Sequence, residues 1–140
     1  MSGLENLKDV PRGDELSLDS ASFKHASFFN RIRERVRQQW HPDKAFRLND
    51  PDGRKTGEKD RTTELLVVLN ADGSLNRLYV ERASGADFLD DEAWRAIENA
   101  VPFPNVPADL VDSADGLVKF TFVFIVEIGQ PPVFRMRRYR

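Results

Sequence analysis

Asp90, Asp91 and Glu92 are the densest run of acids in the chain, and neighbouring carboxylates can serve general acid–base chemistry or hold a metal. They lead into Ala93, Ala96, Ile97 and Ala100, which recur at helical spacing. Acids in the first turn of a helix ordinarily complement its dipole, and that reading is adopted here. Arg31, Arg33, Arg35 and Arg37 are a second group, of the type that binds phosphate. They spread around a helix whose Phe29, Ile32, Val36 and Trp40 mark one apolar side, as a solvated face does. If the helix starts early, His25 falls on that apolar side, where packing is a commoner duty than metal ligation, and His41 sits at the helix end. The serines stand in no nucleophile elbow, and there is no phosphate loop or dinucleotide fingerprint. The acids of the 43–60 stretch lack the order of a calcium loop. With no cysteine, disulfides, zinc–thiolate sites and thiol nucleophiles are excluded. No catalytic residue, metal or cofactor is expected.

The elements that would position any site are readable from pattern. The 140 residues, 40% hydrophobic and 31% charged with net charge −2, suit one soluble domain with a real core. No apolar run reaches the ~20 residues of a membrane span. Residues 1–5 lack the basic and apolar parts of a signal peptide, so either a cytoplasmic protein or a piece of a longer chain is expected. Residues 1–21 read as an extended or disordered lead-in, which Leu16 and Leu18 could tack to the domain. A helix is expected over 22–40, capped by Ser22 and ended by Trp40-His41-Pro42, and residues 43–60 as a loop. Strands over 61–70 and 75–82 flank the turn Asn70-Ala71-Asp72-Gly73-Ser74. After the crossover Ala83-Ser84-Gly85-Ala86 comes a helix over 88–100 with Asp87 as its cap. Pro102, Pro104 and Pro107 then make a stiff connector with Phe103 and Val106 as apolar plugs.

The longest strand is expected over 117–128. Val118, Phe120, Phe122, Phe124, Val126 and Ile128 share one apolar face; Lys119, Thr121, Val123, Ile125 and Glu127 share the other. The tail 131–140 carries four arginines and is open to three readings: a fourth strand, a disordered basic end, or a contact surface. The fold class is therefore α+β, a small antiparallel sheet (a β-hairpin plus the long last strand) with two helices packed on one face, in the order α-β-β-α-β. The division is a lead-in 1–21, a domain 22–130 and a basic tail 131–140.

The motif order Leu69-Asn70-Ala71-Asp72-Gly73-Ser74-Leu75, Val80-Glu81-Arg82-Ala83-Ser84-Gly85, Phe88-Leu89-Asp90-Asp91-Glu92-Ala93 and Pro102-Phe103-Pro104-Asn105-Val106-Pro107, followed by the closing strand, resembles the TonB C-terminal domain family. The helix ending in Trp40 before a proline is similar to the matching region of TolA-like members. The resemblance implies a non-enzymatic periplasmic domain of an inner-membrane-anchored energy transducer, or of a related envelope machine of the transport or gliding type. It also implies inner-membrane motor proteins as partners through regions outside this domain. An outer-membrane or periplasmic protein would supply an extended peptide that adds beside the last strand by β-augmentation. On that implication the partner-binding residues are Val118, Lys119, Phe120, Thr121, Phe122, Val123, Phe124, Ile125, Val126 and Glu127. The same edge could pair with a second copy of the chain. The alternative, from another class, is a basic surface for nucleic acid or another anionic ligand, built from Arg31, Arg33, Arg35, Arg37 and the tail. Nucleic acid is not the expected partner.

Overall fold

The computed structural model describes residues 24–57 and 59–139. The lead-in 1–21 with Leu16 and Leu18, the Ser22 cap and Arg140 lie outside the described residues. The elements are α1 (Ala26–Gln39), α2 (Pro42–Asn49), β1 (Arg61–Asn70), β2 (Leu75–Arg82), α3 (Asp87–Ala100), a 3-10 turn (Ala108–Leu110), β3 (Leu117–Val126) and β4 (Val133–Arg138). The four strands form one antiparallel sheet in the order β2-β1-β3-β4.

One face of the sheet is the core. Leu65, Val67 and Leu69 of β1 stand beside Phe122, Phe120 and Val118 of β3, and all six are buried. Phe29 of α1 meets Phe120 edge-on at 5.8 Å, and Trp40 packs on Phe124 and Phe134 at 5.1 and 6.1 Å. Ala93, Ala96 and Ala100 of α3 are buried in the same cluster. Their small side chains let that helix lie close on the sheet. The helix pair is then tied at its ends. Arg35 of α1 donates to the Ala100 carbonyl at 2.8 Å, and Arg95 of α3 donates to the Gln39 carbonyl. Glu92 holds Arg95 and accepts the His41 backbone N–H at 2.7 Å. Burial acts to raise the Glu92 pKa, but these hydrogen bonds outweigh it and leave the carboxyl below its ordinary value.

The connections follow from a few residues. The turn Asn70–Ser74 closes with Gly73 N–H to the Asn70 carbonyl, and Asp72 accepts from the Ser74 N–H and hydroxyl. At the crossover, Asp90 accepts the Thr63 hydroxyl at 2.6 Å and the Ser84 N–H at 3.0 Å. This first-turn acid therefore clamps β1 and the crossover to α3, beyond any service to the dipole. Phe103 is buried in the core, as expected of a plug, and the Val101–Pro102 bond is cis.

Several expectations change. Ala86, not Asp87, is the N-cap of α3, with no side-chain cap bond, and Asp87 is the helix's first residue. The stretch 43–60 is not all loop, because α2 occupies Pro42–Asn49. Pro42 ends α1, yet its fixed φ and missing donor suit the first position of the next helix. Ala45 is buried there, and Phe46 meets Phe88 edge-on at 5.3 Å. Asp50, buried, closes the following turn by accepting from the Lys55 N–H, the Thr56 N–H and the Thr56 hydroxyl. The long strand stops at Val126, and Ile128 is 57% exposed with its N–H on the Asp60 carboxylate. Of the three readings of the tail, the structure takes the fourth strand: Val133–Arg138 forms β4, because Phe134 and Met136 alternate into the core beside Phe124 and Phe122.

Candidate partner-binding site

The ten residues named for partner binding lie along β3 and just past it, in the middle of the sheet. Val118, Phe120, Phe122 and Phe124 are buried on the helix-covered face. Thr121 and Val123 are buried on the opposite face, while Lys119, Ile125 and Val126 are half-buried. Glu127 falls beyond the strand, exposed in the turn to β4. The β3 backbone pairs with β1 from Leu117 to Val126 and with β4 from Phe120 to Ile125. In this form, therefore, β3 is a central strand and β4 stands at the edge. The strand order decides this, and the alternation within β3 alone does not encode it.

No helix among the described residues covers the second face of the sheet. Leu66, Val68, Thr121 and Val123 are nonetheless buried there, under long charged neighbours whose stems can shield apolar surface. Glu64 receives Arg137 at 3.2 Å and Arg82 at 3.6 Å. Lys119 donates to Asp115 at 2.7 Å, and that bond raises the lysine's pKa and lowers the carboxyl's. Arg77 and Arg135 make no ion pair among the described residues, so this face carries uncompensated positive charge. A shallow cleft on it is lined by Glu81, Thr121, Arg137, Arg138 and Tyr139.

The arginines of α1 divide. Arg35 caps α3 and Arg31 reaches the Pro104 carbonyl at 3.4 Å. Arg33 donates to Asn30, and Arg37 donates to Glu34 at 2.9 Å. Two of the four thus hold the fold together, which weakens the phosphate-surface alternative. His25 packs half-buried and bonds Asp109. Among the described residues no group of three or more His, Asp or Glu side chains is placed to hold a metal.

The TonB C-terminal family model matches residues 25–124, most of the chain. The chain belongs to the TonB C-terminal family. The match spans α1 through most of β3 and stops at Phe124, so β4 lies wholly outside it. The chain is similar to a solved structure, the solution structure of the Helicobacter pylori TonB-CTD, at 16% identity and a TM-score of 0.47, covering 74% of this chain and 97% of that one. No curated protein matches. The family motifs have physical work to do here. The Asp-Gly-Ser turn receives the connector at Gly73, whose carbonyl accepts the Phe103 N–H at 2.9 Å. At the Ser-Gly crossover, the Arg61 guanidinium lies against Gly85 and donates to the Ser84 carbonyl at 3.0 Å. The edge strand is one of the three sequence readings of the tail, and the apolar alternation of Phe134 and Met136 is the signal that favours it over a disordered basic end.

Proposed function

We propose that this TonB C-terminal domain is the partner-gripping end of a periplasmic energy transducer or of a related envelope-spanning machine, of the transport or gliding type. It recruits an extended segment of an outer-membrane or periplasmic protein by adding that segment to its sheet as a further strand. Coupling to inner-membrane motor proteins runs through segments other than this domain, and the domain performs no catalysis. The supporting observation is an open antiparallel sheet that is packed by helices on one face only. Its edge strands carry no further strand among the described residues. An edge strand presents unpaired N–H and C=O groups, and hydrogen bonds to them supply the affinity of β-augmentation.

The ten residues on and after β3 enter this reading with a condition. A strand placed directly on β3 must first release β4, which breaks a six-pair ladder. It also exposes Phe134 and Met136, each worth about 1.5–3 kcal/mol of burial. Addition at an existing edge carries no such cost. The test is to titrate the isotopically labelled chain with short peptides from periplasm-facing segments of outer-membrane receptors. Amide shifts are expected in the strands at the β3–β4 side of the sheet. Shifts clustered on α1, with the strands unmoved, would remove the strand-addition reading.

A further inference from the structure

The two edges of the sheet are unlike. The β1–β2 ladder is broken by register shifts at Glu64/Leu65 and Val68/Leu69, so β2 is bulged and twisted along an edge rich in charge. Bulges and charges of this kind blunt an edge against pairing. The β3–β4 ladder runs from Phe120↔Arg138 to Ile125↔Val133 with no shift. The Tyr139 N–H donates to the Lys119 carbonyl at 3.2 Å. By the antiparallel alternation, odd-numbered residues of β4 turn their backbone groups to β3. Those of Phe134, Met136 and Arg138 therefore face outward. Phe134 and Met136 anchor β4 in the core, so this edge is a regular part of the fold.

Arg135 and Arg137 flank the outward backbone groups on the uncovered face, and both are exposed; Arg137 also holds Glu64 at 3.2 Å, whereas Arg135 makes no ion pair among the described residues. A side chain directly opposite either one on an added strand lies within cross-strand reach, where opposite charges attract and like charges repel. Pairing this edge with a second copy would set Arg135 against Arg137 or against itself in the registers that keep the strand fully paired. The charge pattern thus disfavours self-association.

We infer that the outer edge of β4 takes an extended peptide carrying acidic side chains at alternate positions. This deepens the strand-addition reading of the preceding section and rests on it. The test uses the whole 140-residue chain, ¹⁵N-labelled, and three ten-residue synthetic peptides. One alternates Glu with Val, one alternates Lys with Val, and one has the Glu/Val composition with the alternation broken. The Glu/Val repeat should shift and protect the amides of Phe134, Met136 and Arg138. The other two should bind about tenfold more weakly, the scale of two cross-strand charge pairs gained or opposed. Arg135→Glu, at an exposed position, should bring the affinities for the Glu/Val and Lys/Val repeats together or invert their order. Arg138→Pro removes one outward N–H and should weaken the Glu/Val repeat with little change in thermal midpoint. Amides of β3 shifting while β4 signals move to unfolded positions would overturn this inference and leave strand addition standing. Equal affinity for the Glu and Lys repeats would overturn the acidic selection. Shifts confined to the helices would overturn both this inference and the reading beneath it.

Discussion

At Gly73 two distant segments meet with no room to spare. Its φ is +90°, and a Cβ added there would lie 2.0 Å from the Phe103 carbonyl oxygen. The Phe103 N–H donates to the Gly73 carbonyl at 2.9 Å, and the Phe103 ring is buried in the core. Gly73→Ala therefore combines backbone strain with displacement of the connector, and should cost about 3 kcal/mol. Urea unfolding would read this as a lower midpoint with an unchanged slope. Phe103→Ala leaves a cavity and should cost about 3–5 kcal/mol. Because both substitutions break one contact, the double variant should lose clearly less than their sum. Strict additivity would mean that the turn and the connector are energetically independent. The turn was legible in Asn70-Ala71-Asp72-Gly73-Ser74, but the second duty of Gly73 was not, since its partner is far along the chain.

The elements are joined by a few acids whose carboxyls sit below their usual range, and this makes the joints sensitive to acid. Asp109, on the 3-10 turn, bonds His25 and Lys24 at the start of α1. The His25 hydrogen bond, then that of Lys24, lowers its pKa from 3.8 to about 2. Between those values the unfolded chain binds more protons than the folded one, so this tether stabilises fully above pH 3.8 and fades as pH falls towards about 2. Asp109→Asn should lower the thermal midpoint at pH 5, and its gap from the unsubstituted chain should close on titration to pH 2. A gap that stays constant throughout would show that the contact acts by shape rather than by charge. At this scale α1, β1, β2, α3 and β3 were legible, because each has several periods of apolar spacing between strong breakers. α2 was not, since Ala45 and Phe46 offer too little periodicity in eight residues and Pro42 reads first as a stop. β4 stayed ambiguous because Arg135, Arg137 and Arg138 fit a basic end as well as an edge strand. Only pairing with the far side of β3 decides between them. The candidate site inherits that ambiguity: the side-chain faces of β3 could be read from alternation, but its place inside the sheet could not.

For the molecule as a whole the question is whether β4 is a fixed edge or a removable cover over β3. The physical difference is large. Removal exposes two buried side chains and opens the Trp40–Phe134 contact, whereas addition at the edge leaves the core closed. The chain lacks cysteine, so one engineered pair can form only one intramolecular bridge. Lys119 and Tyr139 are joined by a backbone hydrogen bond at the far end of the β3–β4 ladder. Cα atoms of such a hydrogen-bonded pair lie about 5.5 Å apart, within the span of a disulfide. Lys119→Cys with Tyr139→Cys should therefore oxidise readily, close a loop of about 20 residues and stabilise the domain by about 3 kcal/mol. With the hairpin locked, an acidic strand should bind as well as it does to the reduced protein, since the outward groups of Phe134, Met136 and Arg138 remain free to pair. Binding abolished on oxidation and restored on reduction would instead mean that β4 must peel away and that β3 receives the partner.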